Sequence, residues 1–221
     1  MDTDAFEDFP LEEAIVARAA RCGVELAPAS TRALATQARA VIEANPGLHL
    51  TTIVDPQTFV ERHLGEAFEG AALLPAGIEG TLLDLGSGNG YPGLPLAAAR
   101  PGLRPVLAEA SVKKAAFLRG VVERSGLVGA RVLARQVQRP ADLEGIEPLQ
   151  VIATRAASGW EKVVPRLIPC LVPGGRVLVW AGESMETVRR RAAWKRLEMT
   201  DRVSLPGRQR SWVWVLGAVA S

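Results

Sequence analysis

Residues Leu82 to Leu96 read LLDLGSGNGYPGLPL: an apolar run, four glycines within eight positions, then apolar residues again. A buried strand, a loop that needs backbone freedom, and the start of a helix account for that order. The chain around it must therefore accommodate a β-loop-α unit, with a ligand at the loop. Gly88-x-Gly90-x-x-Gly93 also matches the spacing of a dinucleotide-binding fingerprint. The residues before the glycines argue for a different ligand. A nicotinamide loop places pyrophosphate on the following helix N-terminus, whereas here the strand ends in Asp84. A carboxylate at the strand tip repels a pyrophosphate and suits a ligand with ammonium and sulfonium groups. S-adenosylmethionine is such a ligand and carries no phosphate. Gly86, Gly88 and Gly90 would let the backbone approach it closely.

The second strand of the unit is expected to end in Glu109, nineteen residues beyond Gly90. An acid there can accept hydrogen bonds from both ribose hydroxyls, in either cofactor class. Beyond Thr81 the chain alternates short apolar runs with helical patterns. The strands expected are Thr81–Leu85, Pro105–Glu109, Arg131–Arg135, Gln150–Thr154 and Arg176–Trp180. Helices are expected near 93–99, 111–125, 159–171 and 183–197. Such alternation builds an α/β fold, a mostly parallel sheet with helices on both faces. Arg202–Leu205 and Ser211–Leu216, joined by Pro206-Gly207-Arg208, read as an antiparallel end, giving about seven strands. Trp212 and Trp214 alternate with Val213 and Val215, so both indoles should point to one sheet face.

Residues 1–80 read as an N-terminal helical cap and residues 81–221 as the Rossmann-like core. In the cap, one helix starts near Pro10 and ends at Gly23. A second, from Ser30, is expected to stop before the turn signal Asn45-Pro46-Gly47. A third begins at Asp55-Pro56, an N-cap carboxylate followed by proline at the first helical position.

Charge is divided along the chain. Residues 1–80 hold 5 Lys+Arg against 13 Asp+Glu, a balance of −8. Residues 81–221 hold 21 against 11, a balance of +10, and the two make the net +2. A basic body of this kind can approach a polyanion. Arg189-Arg-Arg191 with Lys195 and Arg196 is the densest basic cluster, expected on the helix after the fifth strand. No apolar run approaches the roughly 18 residues of a membrane span, and the acidic start lacks the pattern of a secretory signal. Cys22 and Cys170 lie far apart without metal-ligand spacing, so no metal is expected and both thiols read as reduced, in a cytoplasmic protein.

Asp84-Leu-Gly-Ser-Gly-Asn-Gly-Tyr-Pro-Gly-Leu-Pro-Leu96 closely resembles the DxGxGxGFPGxPL signature of the RsmG family, also called glucose-inhibited division protein B. Lys113-Lys114-x-x-Phe117-Leu118, Thr154-Arg155-Ala156 and Leu205-Pro206-Gly207 are similar to its KKxxFL, SRA and LPG segments, and Leu50-Thr51 and His63 fall on its cap motifs. The resemblance implies a class I S-adenosylmethionine-dependent methyltransferase fold. The activity it implies is methylation of guanine N7 in small-subunit (16S) ribosomal RNA, with the RNA or the small ribosomal subunit as partner and a monomeric enzyme. It further implies that Gly86 and Tyr91 contact the methionine part of the cofactor, Glu109 the ribose, and Gln136 and Val137 the adenine. Arg155 would stand at the cofactor edge facing the substrate, as the one candidate catalytic residue. The family's Lys-Gly after the fifth strand is Ala181-Gly182 here, preceded by Trp180, which leaves as the alternative a divergent relative that keeps the cofactor site but methylates another substrate or only binds S-adenosylmethionine.

Overall fold

A computed structural model describes residues 4–127 and 129–219. Five helices come first: α1 (Asp4–Glu7), α2 (Leu11–Arg21), α3 (Pro28–Leu48), α4 (Pro56–Phe59) and α5 (Glu66–Ala72). Then strands and helices alternate. They are β1 (Gly80–Leu85), α6 (Gly93–Ala99), β2 (Leu103–Ala108), α7 (Val112–Ser125), β3 (Arg131–Leu133), β4 (Leu149–Arg155), α8 (Trp160–Leu167), β5 (Leu171–Gly182) and α9 (Ser184–Val188). The hairpin β6 (Leu197–Ser204) and β7 (Ser211–Ala218) ends the series. The sheet has seven strands in the order β3-β2-β1-β4-β5-β7-β6, with β1 to β5 parallel and β7 antiparallel to both neighbours.

Both faces of the central strands are buried, which explains their unbroken apolar runs. Leu82, Val151, Leu178 and Val213 belong to a core shared with α2, α3 and α5. Leu83, Ile152, Val179 and Trp214 point the other way, toward α8, Met185 and Trp194. Period-two alternation thus serves two separate cores across one sheet. The chain reverses its winding between β1 and β4, and a ligand crevice is expected outside the carboxyl ends of those strands.

Four local expectations differ from the structure. Helix α3 runs through Asn45-Pro46-Gly47 to Leu48. The Asn45 side chain explains this, because its Oδ1 accepts from the backbone N–H of Leu50 and Thr51 (2.8 and 2.9 Å) and its Nδ2 donates to the Thr51 carbonyl. That clamp organises the chain after the helix, and the stop falls at His49, in a left-handed conformation at φ 49°. The helix expected over 183–197 is only the five residues of α9 plus one tight turn at Ala192–Trp194. Trp194 is pulled into the core, edge-on to Trp160, with its indole N–H on the Glu161 carbonyl. A continuous helix would not deliver it there. Strand β3 stops at Leu133 because Arg135 N–H turns back to the Leu133 carbonyl. Strand β6 begins at Leu197, well before Arg202. As the sheet edge it exposes most of its residues, so no apolar alternation marks it. Trp212 and Trp214 do share a face, their rings 5.8 Å apart with Arg202 over both.

Candidate active site

The glycine loop leaves β1 by a turn held to β2: Gly86 N–H and Ser87 N–H both donate to the Ala108 carbonyl at 3.0 Å. Gly86 and Gly88 sit at φ +74° and +57°, where a side chain is strained. A Cβ on Gly86 would lie 2.7 Å from the Ala157 Cβ, whereas Gly88 faces open space apart from a carbonyl 3.9 Å away. Backbone at Gly88 is therefore bare toward the cleft. Gln37 of α3 donates to the Asn89 carbonyl (3.1 Å) and Asn89 to the Leu50 carbonyl (3.2 Å), so the loop is pinned to the N-terminal helices.

Glu109 stands just beyond β2. Its Oε2 accepts from Gly88 N–H (2.9 Å) and its Oε1 from Ser111 N–H (2.7 Å). Each oxygen keeps a lone pair for a further donor. The carboxylate thus links the loop to the start of α7 while facing the cleft.

Behind Tyr91 lies a polar cluster. Phe59, Tyr91 and His63 pack together, with the His63 and Tyr91 rings stacked at 5.1 Å. Arg155 Nη2 lies 2.8 Å from His63 Nδ1, and Thr51 Oγ1 lies 2.8 Å from His63 Nε2. A guanidinium only donates, so Nδ1 accepts and the proton resides on Nε2. Burial, reinforced by Arg155 and Arg208, pushes the His63 pKa down to about 3, and the ring is neutral. Arg155 also donates to the Arg62 carbonyl (3.1 Å) and approaches Glu66 Oε2 (3.4 Å). Glu66 is 2% exposed, and its other oxygen lies 2.7 Å from Arg208 Nε in an ion pair without hydrogen-bond alignment. Burial also works against the charge of Arg155, and Glu66 opposes that effect. A wider π-type turn at Val60–Gly65, between α4 and α5, carries His63 and leads directly into Glu66.

Among the expected site residues, Gly86, Gly88, Tyr91, Glu109, Gln136, Val137 and Arg155 line one cleft of about 860 Å³. Asp84 and Gly90 do not. Asp84 is fully buried beneath the loop, its Oδ2 accepting from Gly93 N–H (3.1 Å) at the start of α6. Burial raises its pKa to about 6. It shapes the loop from below instead of facing a ligand's ammonium group. Gly90 lies against α3, where a Cβ would come 2.7 Å from Gln37 Nε2. Trp180 offers no free face for a base, since it is buried against Gly70 and donates to the Glu66 carbonyl (2.9 Å). Sequence reasoning missed Glu66 as the partner of Arg155, and Arg208 as the second cation on the same carboxylate. They are 89 and 53 positions from Arg155, and nothing local marks either.

A seven-stranded sheet of this order, with a glycine loop at its switch point and an acid ending β2, defines a class I methyltransferase fold. Solved structures agree on the fold. MtNAS in complex with MTA and tNA superposes with TM-score 0.60 at 20% identity, covering 83% of this chain and 69% of that one. Aeropyrum pernix fibrillarin with natively bound S-adenosyl-L-methionine gives 0.52 at 19%, over 66% and 69%. Residues 30–205 match the family GidB, rRNA small subunit methyltransferase G, and the chain belongs to that family. Its relatives include ribosomal RNA small subunit methyltransferase G of Alkalilimnicola ehrlichii, 32% identical over 96% of both chains. That of Stenotrophomonas maltophilia is 37% identical over 74% of both, and that of Sorangium cellulosum 33% over 82% of this chain and 77% of its own.

Proposed function

We propose that the chain binds S-adenosylmethionine in this cleft and transfers its methyl group to guanine N7 of 16S ribosomal RNA, as a cytoplasmic enzyme acting on the small subunit. The observation that carries the cofactor reading is the pairing of Glu109 with Gly88 N–H beside a glycine backbone open to the cleft. A carboxylate already aligned by two backbone donors is preorganised for a ribose diol, with no charge to repel. Gln136 and Val137 offer a polar edge and an apolar wall for the adenine, and Gly86 and Tyr91 border the methionine end.

When bound, the cofactor supplies an electrophilic methyl group on sulfonium. Guanine N7 has a free lone pair at neutral pH, so no proton need be removed. The residues of the cleft fit that requirement. His63 is neutral, buried and engaged at both nitrogens, so it is not free to take a proton from a substrate. Their work is to hold the acceptor and methyl group in line and to exclude water. Arg155, held by three partners at the cleft wall, would orient the acceptor edge. Methyl transfer from labelled cofactor to small-subunit particles and to deproteinised rRNA, with the modified base mapped, tests the proposal. Calorimetry should find S-adenosylhomocysteine binding and no NAD binding. Tight NAD binding, or transfer confined to a small molecule, overturns it.

A further inference from the structure

The cations of the cleft wall differ in how they are neutralised. Arg155 and Arg208 share the single carboxylate of Glu66, so that cluster keeps one surplus positive charge. Lys162 and Arg166 line the same cleft from α8 and are exposed. Neither has an acidic partner within 4.0 Å among the described residues. Four residues apart on a helix, they project from one face, with Cβ atoms about 5–6 Å apart. Val164 and Leu167 bury the opposite side of α8 in the core, which fixes the direction of that face. The one acid of the helix, Glu161, is outside the cleft wall.

The Arg189-Arg-Arg191 run, the densest basic segment, is placed differently. It leaves the short α9 instead of forming a helical stripe, Arg189 is ion-paired with Glu186 at 2.6 Å, and no member of the run lines the cleft. Local density of arginine and access to the reacting centre are thus separate properties in this chain.

We propose that α8 is the backbone track for the RNA acceptor: Lys162 and Arg166 hold neighbouring phosphates of the strand whose base enters the cleft, and Arg208 on the β6–β7 turn holds the phosphate nearest that base. Arg208 suits the role because its guanidinium is 40% exposed and meets Glu66 through Nε at 2.7 Å, while its two terminal nitrogens, which make no hydrogen bond among the described residues, can fork onto a phosphate. Ala181 lines the same cleft and brings only a methyl group. The inference rests on RNA being the substrate.

The test is fluorescence anisotropy of a labelled small-subunit rRNA fragment over a salt series, with calorimetry of S-adenosylhomocysteine alongside. Lys162→Gln/Arg166→Gln should lower the slope of log affinity against log salt by about 1.4, since each single-strand phosphate contact contributes about 0.7. Its RNA affinity near physiological salt should fall about tenfold or more, with S-adenosylhomocysteine affinity unchanged. Arg190→Gln/Arg191→Gln, off the cleft, should match wild type in both. A wild-type slope in the α8 variant overturns the track, as does the loss appearing in the 190/191 variant instead. Weakened S-adenosylhomocysteine binding in the α8 variant would place these cations on the cofactor and equally overturn it. Wild-type protein that binds S-adenosylhomocysteine but no RNA removes the substrate reading itself, and the track with it.

Discussion

Replacing Glu66 by alanine isolates what holds Arg155 in place. The carboxylate is 2% exposed and, among the described residues, is the only acidic side chain within 4.0 Å of the Arg155 guanidinium, itself 15% exposed. Its removal leaves Arg155 with one carbonyl and one neutral imidazole nitrogen. Breaking a buried ion pair from one side costs about 3–5 kcal/mol, because the remaining charge stays desolvated. The 3.4 Å separation argues for the lower end, and Arg208, 40% exposed, recovers water and adds little. A loss of about 3 kcal/mol follows, or roughly 6–12 °C in Tm for a chain of this length. Urea unfolding should show it as a lower midpoint with unchanged slope. Glu66→Gln keeps the volume and one acceptor and should cost about 2 kcal/mol by the same reasoning. The hydrogen bond from the Trp180 indole N–H to the Glu66 backbone carbonyl survives in both variants. Losses below about 1 kcal/mol in both would refute the view that Arg155 depends on this carboxylate.

Gly86→Val places a branched side chain at φ +74° and against Ala157, and should abolish S-adenosylhomocysteine binding in calorimetry. Acid titration of stability should uncover two opposing groups. His63, at about 3 in the fold against an ordinary 6.5, contributes stability that is complete above pH 6.5 and lost as pH falls toward 3. Asp84, at about 6 against 3.8, contributes stability that is complete below pH 3.8 and lost as pH rises through 6. The two nearly cancel between pH 6 and 4. Asp84→Asn should expose the His63 contribution, a fall of about 1.4 kcal/mol per pH unit over that range, measured by urea unfolding; a flat profile would contradict it.

What the sequence determined by itself was everything written in local pattern. The parallel strands carry continuous apolar runs because both faces are buried. The loop carries glycines because three of its positions, Gly86, Gly88 and Gly90, have positive φ and one of them must stay bare. Glu109 follows directly from its place at the end of β2. These signals lie within a few residues of the structure they produce. Helix α3 outlasts a strong turn signal for a local reason that residue type does not announce, the Asn45 side chain capturing N–H groups five and six residues on. Tertiary structure alone decided the rest. Arg189-Arg-Arg191 ceases to be a helical stripe because Trp194 is drawn into a core assembled from α8. Asp84 looked like a ligand's counter-charge and is instead the floor of the loop, since burial depth is a property of the packed sheet. Glu66 meets Arg155 and Arg208 only when the N-terminal helices close over the sheet ends. Interactions between residues so far apart leave no period or spacing in the chain, because their geometry exists only once both cores have formed.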